Sequence, residues 1–236
     1  MRVPTPLVDT KHFLAHLPRG PLNSFLNVCN VVELHAQEEL NTAGQKINFV
    51  YFPIDSLIAL IMTVDGKSIE TGLIGNEGML GTAVFLGAEE AACSAYVQMS
   101  GKAYQLSTAA FMDQLDKSEA LRSLMSRYIL VLMDRLSISV GCHHFHSIEK
   151  RLAYLLLMIN EGINSSHINI TQAAMSNILG VRRSGISGAA NLLHQKNIIQ
   201  YSRGRIDILD KGGLEAESCS CYQATKKSYQ WIKPRQ

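Results

Sequence analysis

The chain has 236 residues, of which 47% are hydrophobic and 18% are charged, and its formal net charge is +2. This composition supplies enough apolar material for one or two globular domains and excludes a disordered tail. No apolar stretch approaches the ~20 residues of a membrane-spanning helix, and the N-terminus lacks the apolar segment and cleavage site of a secretory signal. We therefore expect a cytoplasmic protein with no membrane partner.

The positive charge is concentrated in the C-terminal part of the chain. Residues 1–146 contain 10 Lys/Arg and 14 Asp/Glu, a formal charge of −4, whereas residues 147–236 contain 12 Lys/Arg and 6 Asp/Glu, a formal charge of +6. A basic domain joined to an acidic body is typical of proteins in which one domain binds a polyphosphate. The charge alone does not identify nucleic acid as the partner.

The five cysteines are scattered and odd in number, which favours free thiols in a reducing compartment over a disulfide framework. Cys219 and Cys221 are separated by one residue. Paired zinc ligands usually have a wider spacing and need further ligands, so we predict no metal there. We likewise predict no bound cofactor.

The N-terminal part, residues 1–106, has the pattern of a β domain. From about residue 30 it consists of short apolar or alternating segments separated by turn formers, which predicts an antiparallel, jelly-roll-like β roll. The clearest hairpin is residues 64–67, because Asp-Gly provides the positive φ angles of a tight turn. With the helices predicted below, the fold class is α+β.

Residues 107–146 show helical spacing and predict a short helix followed by a long one. The residues from Ile129 to Met133 are apolar on every side of this helix, so it needs two neighbours. One would be the β domain, and the other would be a second copy of the chain. The predicted dimerisation residues share a three-four spacing and are Leu121, Leu124, Tyr128, Val131, Leu132 and Ile138. The alternative is the core helix of a monomer.

Residues 147–236 contain a winged helix-turn-helix pattern. Thr171 is suited to cap a first helix that ends at Leu179, and Gly180 permits the left-handed turn that follows. A second helix is predicted from about Arg183 to Gln195, with Ile186, Ala190 and Leu193 buried. A strand, a turn and a second strand follow over residues 198–209 and form the wing.

This arrangement predicts binding to double-stranded DNA, with the N-terminal end of the second helix in the major groove. Arg183 is our candidate for base recognition, because a guanidinium can donate two hydrogen bonds to guanine. Two arginines at the tip of the wing are expected to contact phosphates. The predicted DNA-binding residues are Thr171, Gln172, Arg182, Arg183, Ser184, Ser187, Arg203 and Arg205. The alternative is a simple corner of two helices with solvated arginines.

Over about residues 25–222, the chain resembles the Crp/Fnr family of bacterial regulators. The resemblance is most specific over residues 170–210, and it is supported by YFPIDSLIAL, by GNEGMLGTAVFLG at residues 75–87 and by CHHFHSIEKRLAYLLL. It implies a cyclic-nucleotide-binding-like β roll, a homodimer and a two-fold symmetric DNA site. RNA polymerase is a further partner to be considered.

The resemblance also implies a small-molecule effector pocket in the roll. Its candidate residues are Gly75, Glu77, Gly81, Thr82, Cys93 and Ser94. Nucleotide-binding members hold the ribose with a glutamate and the cyclic phosphate with an Arg-Ser pair, and these positions fall near Thr82 and at Cys93-Ser94. A buried phosphate would lack its charged partner here, so cyclic AMP is not expected as the effector. The iron–sulfur branch is not expected either, because its N-terminal cysteine cluster is missing.

His143, His144 and His146 raise the question of haem or metal. On a helix, His143 and His146 share a face while His144 points elsewhere, which favours a solvated cluster at a domain junction over a ligand set. A haem-based gas sensor stays an alternative, as does a ligand-binding or protein-binding module whose winged helix makes protein contacts. The sequence contains no nucleophile elbow, phosphate loop or HExxH motif, so we expect no enzyme.

Overall fold

The computed structural model describes residues 9–10, 12–202 and 204–233. The helices are α1 (Arg19–Leu26), α2 (Thr82–Phe85), α3 (Thr108–Lys117), α4 (Glu119–Phe145), α5 (Ile148–Ile163), α6 (Gln172–Leu179), α7 (Arg183–Gln195), α8 (Lys211–Glu217) and α9 (Cys221–Tyr229). The strands are β1 (Asn30–Leu34), β2 (Glu39–Asn41), β3 (Phe49–Pro53), β4 (Leu57–Val64), β5 (Lys67–Ile74), β6 (Ser94–Met99), β7 (Gly101–Ser107), β8 (His167–Asn169), β9 (Ile199–Ser202) and β10 (Arg205–Ile208). The predicted α+β class is confirmed.

The N-terminal domain is a β roll of two antiparallel sheets, with strand orders β1-β7-β3 and β2-β6-β4-β5. The predicted hairpin is confirmed, since Val64 pairs with Lys67 and both turn residues, Asp65 and Gly66, have positive φ. After its exposed first residue, Phe49, strand β3 is buried on both faces. Tyr51 faces the other sheet, whereas the neighbouring Val50 and Phe52 pack against helices.

The long helix α4 belongs to the core of this domain through its first half. Leu121, Leu124, Tyr128 and Val131 are each at most 1% exposed and pack with the aromatic side chains that cover β3 and β7. The predicted neighbour on this side, the β domain, is therefore present. The same burial contradicts their assignment to a dimer interface, because a side chain inside the protomer cannot contact a second copy.

The other two predicted dimerisation residues, Leu132 and Ile138, are half-buried, against the N-terminal core and against a cysteine cluster respectively. A different stripe of α4 faces outward. Leu130, Met133 and Val140 are 51%, 62% and 73% exposed and continue a three-four spacing that includes Ser126, Ser137 and His144. Leu136, beside the stripe, is also exposed. The helix thus presents an uncovered apolar seam on the side away from the roll.

The C-terminal domain runs from α5 through the sheet β8-β10-β9 to α8, around a continuous hydrophobic core. Leu57 and Met99 of the roll extend this core, and α6 packs against β5. After α8 the chain returns to the long helix. Arg135 donates a 2.6 Å hydrogen bond to the Tyr229 hydroxyl of α9, and Arg127 Nε donates one of 3.0 Å to the Ile232 carbonyl. No helix in the described ranges has the length and hydropathy needed to cross a membrane.

We expect Tyr128→Phe to reduce the free energy of unfolding by about 1–3 kcal/mol. The buried Met79 amide donates to the Tyr128 hydroxyl at 3.2 Å and would lose its partner. Chemical denaturation measures the change. The control is Tyr96→Phe, whose hydroxyl donates to Glu39 at 2.9 Å on the surface and where water can replace the bond, so a change below about 0.5 kcal/mol is expected. Equal losses in both variants would contradict the prediction.

Candidate nucleic-acid interface

Helix α6 is fixed at both ends by local hydrogen bonds. The Thr171 hydroxyl accepts from the Ala174 amide at 3.1 Å, as predicted for the N-cap. At the other end Gly180 has a φ of +61°, and the Val181 amide donates to the Ser176 carbonyl at 3.0 Å. Together with a bond from the Gly180 amide to Asn177, this is the Schellman arrangement that ends helices at glycine.

A buried arginine from α5 stabilises the same turn. The guanidinium of Arg151, which is 6% exposed, donates to the carbonyl oxygen of Leu179, the last residue of α6. A positive charge at a helix C-terminus is favourable because it lies beside the negative end of the helix dipole. Arg151 therefore links the orientation of the turn to α5.

Helix α7 begins and ends at the predicted residues and buries the predicted face. Ile186, Ala190 and Leu193 are at most 1% exposed, and Ser176 is buried where α6 meets α7. The two helices are joined by a side-chain hydrogen bond of 2.6 Å, in which the Ser187 hydroxyl donates to Gln172 Oε1. Both residues of this bond were predicted to contact DNA, and the bond also holds the helix pair together.

The first turn of α7 is exposed and basic. Arg182 is the N-cap residue, Arg183 opens the helix, and both are exposed together with Ser184. Within the described part of the chain, neither guanidinium has an ion-pair or hydrogen-bond partner. Unpaired donors at a helix N-terminus form a favourable environment for phosphate. Asn191, exposed two turns further along the same helix, was missed in the sequence analysis although its spacing from Ser184 and Gly188 places it on this face.

The wing is the hairpin of β9 and β10, in which Ser202 pairs with Arg205. Arg205 is not a freely extended side chain, because its Nε donates to Asp207 Oδ1 at 2.9 Å. His167 Nδ1 lies 2.5 Å from the same oxygen, and the hydrogen bonds from His167 and Arg205 lower the pKa of Asp207. The other predicted wing residue, Arg203, lies outside the described residues.

The predicted effector residues lie in different local environments. Gly75 is in close contact with α5, since a Cβ there would lie 2.6 Å from the Gly162 Cα. Glu77 Oε1 is 3.6 Å from Arg135 Nη1, and Gly81 has a φ of +101° against Val50. Cys93 and Ser94 lie at the start of β6, where the Ser94 hydroxyl accepts from the Ala43 amide at 3.1 Å.

Thr82, in contrast, lines a cavity of about 360 Å³ between the roll, α4 and the helix-turn-helix. Its wall is mostly apolar and includes Leu132 of α4 and Leu179 of α6. The buried carboxyl of Glu70 on β5 also lines it, with Oε1 lacking a hydrogen-bond partner among the described residues. Burial raises the pKa of Glu70 to about 8.

The three histidines near the end of α4 differ in environment. His143 and His144 are exposed, and His143 Nδ1 lies 2.8 Å from the Ser139 carbonyl one turn earlier. His146 is half-buried, with its Nδ1 3.5 Å from the Sγ of Cys221. The structure thus separates His146 from the other two and places it beside cysteines that are distant in sequence.

Comparison with known proteins identifies relatives of the C-terminal domain. Residues 150–217 match the model of the Crp-like helix-turn-helix domain. No protein of curated function is similar enough in sequence to be matched.

Several solved structures share the fold of most of the chain. FixK2 from Bradyrhizobium japonicum has a TM-score of 0.69 at 11% identity, covering 81% of this chain and 98% of its own. TTHB099, a CRP-family transcriptional regulator from Thermus thermophilus, has a TM-score of 0.65 at 17% identity, covering 79% of this chain and 96% of its own. The c-di-GMP responsive global regulator CLP from Xanthomonas campestris has a TM-score of 0.59 at 11% identity, covering 81% of this chain and 99% of its own. The resemblance to the Crp/Fnr fold is therefore confirmed.

We expect Glu70→Gln to change how stability depends on pH. The folded-state pKa of Glu70 is raised from 4.5 to about 8. The stability that the protonated carboxyl contributes is therefore fully present below about pH 4.5 and is lost as the pH rises to about 8. The variant should therefore gain up to a few kcal/mol relative to the wild type across this interval. Arg135, Arg151 and His143 line the same cavity and are unchanged in the variant.

Denaturation at a series of pH values measures this difference, with Glu33→Gln, at an exposed position of β1, as the control. A stability difference between Glu70→Gln and the wild type that is constant with pH would show that Glu70 is solvated in the folded protein.

Proposed function

Since the chain carries a Crp-like helix-turn-helix domain on the fold of Crp/Fnr regulators, we propose that it is a sequence-specific DNA-binding transcription regulator that acts as a homodimer. Its target would be a two-fold symmetric site in double-stranded DNA. The protein acts by binding rather than by catalysis.

The exposed N-terminal turn of α7 carries the proposal. Arg182 and Arg183 have no ion-pair partner in the described ranges and lie at the position where a recognition helix enters the major groove, and the bonds around Gly180 hold this turn in place. A fixed scaffold matters because base recognition requires the two hydrogen bonds of a guanidinium to be aligned with one base edge. The charge of +6 over residues 147–236 adds attraction to phosphates.

The exposed seam of α4 is the dimerisation surface that we propose. Leu130, Met133 and Val140 repeat at the spacing of a coiled-coil seam, and two such helices related by a two-fold axis would cover each other's apolar side chains. A two-fold dimer presents two copies of α7. Half-sites one helical turn of DNA apart require these helices to be about 34 Å from each other.

We propose the cavity between the roll, α4 and α6 as the place for an effector. A ligand there would contact all three parts, so it would bind with different affinity to different arrangements of the helix-turn-helix domain, which is the requirement for a population shift. Thr82 and Cys93 stand near the positions where nucleotide-binding members have charged side chains, which argues against cyclic AMP. RNA polymerase stays a predicted partner with no surface assigned to it.

Two alternatives make different predictions. A module whose winged helix binds proteins would not show the steep salt dependence that the release of counterions from DNA produces. A haem-based sensor would show the Soret absorption of haem in the purified protein.

We expect Arg183→Ala to weaken and broaden DNA recognition. Selection from random duplex DNA should yield a palindromic motif with the wild type, and the variant should lose about 1–3 kcal/mol of discrimination at one position of each half-site. Lys117→Ala is the matched control, because Lys117 is an exposed cation on α3 whose only ion pair among the described residues is with Asp113.

Binding to the selected site at several salt concentrations separates base contacts from phosphate contacts. The logarithm of the affinity falls linearly with the logarithm of the salt concentration. Loss of one phosphate contact lowers the steepness of this line by about 1, whereas loss of a base contact leaves it nearly unchanged. If neither the wild type nor the variant enriches any sequence, even at low salt, the protein without an effector does not have the proposed function.

We expect Met133→Asp and Val140→Asp to convert the dimer into monomers, because each places a charge in the proposed seam. Analytical ultracentrifugation measures the dissociation constant, which should rise at least about tenfold for a cost of 1.4 kcal/mol or more. Leu86→Asp is the control, since Leu86 is 66% exposed and lies outside α4. A dimer that survives both α4 variants would place the interface elsewhere.

A further inference from the structure

We propose that Cys142, His146, Cys219 and Cys221 bind a structural zinc ion that joins the end of α4 to the segment between α8 and α9. The four ligand atoms all lie within 4.8 Å of one another. The three cysteines are at most 8% exposed and His146 is half-buried. The residues come from two parts of the chain that are separated by the whole helix-turn-helix domain.

Two of the ligand separations match those of a tetrahedral zinc site. Cys142 Sγ is 3.6 Å from Cys219 Sγ, and Cys221 Sγ is 3.5 Å from His146 Nδ1. Zinc–sulfur bonds of about 2.3 Å and a zinc–nitrogen bond of about 2.0 Å at tetrahedral angles give separations of about 3.8 and 3.5 Å. The cysteines are free thiols, and the sulfur–sulfur separation is far longer than the ~2.05 Å of a disulfide.

The backbone presents the ligands from two rigid helix ends. Cys142 and His146 are four residues apart, so they lie on the same face of the last turn of α4. The His146 amide donates to the Cys142 carbonyl at 3.2 Å, which keeps this turn helical up to the second ligand. Cys219 follows α8, and Cys221 is the first residue of α9.

The three cysteines of the site are buried. The three cysteines form a buried cluster of their own, covered by Ile138 and Tyr154. The Tyr154 hydroxyl lies 2.9 Å from the Thr225 hydroxyl, which ties α5 to α9 beside the cluster. Apolar cover on a set of four ligands favours a metal whose coordination is complete without water.

The donor set selects the class of metal. Three thiolates and one imidazole are soft and intermediate ligands that suit zinc rather than magnesium or calcium, and four protein ligands are typical of a structural site rather than a catalytic one. The competing use of the same atoms is a disulfide between Cys142 and Cys219. We infer zinc because a disulfide would leave Cys221 and His146 without a role in the arrangement.

Such a site would close the loop of residues 147–218 and hold α9 on α4. Its existence does not depend on what α7 binds, so it can be tested apart from the proposed function. A protein that recognises DNA without zinc would overturn only the site, and a zinc-containing protein that ignores DNA would overturn only the proposed function.

The first measurement is the metal content of the full-length protein, purified under reducing conditions without a metal-affinity tag. Plasma mass spectrometry should find one zinc ion per chain. Replacement by Co²⁺ should give visible d–d bands and sulfur-to-cobalt charge transfer typical of tetrahedral thiolate coordination. Both results come from the wild type and do not require a variant to fold.

Variants then assign the ligands. Cys219→Ser and His146→Asn should lower the zinc retained after dialysis by about tenfold or more. The matched controls are Cys93→Ser and His144→Asn, which remove a cysteine and a histidine outside the cluster and should keep the wild-type content. The proposal is overturned by wild-type protein without zinc and without a cobalt spectrum. Unchanged zinc in both ligand variants, or a Cys142–Cys219 disulfide in the reduced preparation, would also overturn it.

Discussion

The packing of α4 is the constraint on which the other parts of the structure depend. One side of this 27-residue helix is buried in the roll through Leu124 and Tyr128, and another is covered by α9 and the turn that follows it. A third side, with Met133 and Val140, is uncovered. The first and third sides are apolar, whereas the side facing α9 carries Arg127 and Arg135, so apolar residues point in more than one direction around the helix. The N-terminal domain, the proposed interface and α9 meet on this helix, and the helix-turn-helix domain follows directly after it.

Local capping determines how the helix-turn-helix is presented. The cap at Thr171, the turn at Gly180 and the buried Arg151 are all contained within residues 151–181. They fix the position of α6, and the hydrogen bond between Gln172 and Ser187 holds α7 against it. The arginines that are proposed to meet DNA are left without intramolecular partners among the described residues. Rigid support under unpaired cations is what a binding surface needs to limit the entropy lost on binding.

Local patterns were predictable from the sequence, and long-range neighbours were not. The boundaries of α7 and the hairpin at Asp65 follow from capping and turn chemistry within a few residues, so they were predicted correctly. The three-four spacing of Leu121 and Tyr128 shows that they are buried but not against which surface, and the prediction chose a second copy where the structure has the roll. Of the residues predicted for an effector, Thr82 lines the cavity, and its other lining residues come from distant parts of the chain that no local pattern connects. Cys142 and Cys219 are brought together by the return of the chain after α8, which no short-range pattern encodes.

The chain leaves α4 at Ser147 and comes back to it at Cys219, so the helix-turn-helix domain enters and leaves at nearly one place. Any rotation of that domain therefore pivots near the end of α4. The first turn of α7 lies close to this pivot, because a Cβ on Gly185 would be only 2.9 Å from Ile148 Cδ1 at the start of α5. A change of angle beside Cys142, where the cavity wall also lies, would thus act directly on the orientation of the turn that carries Arg183.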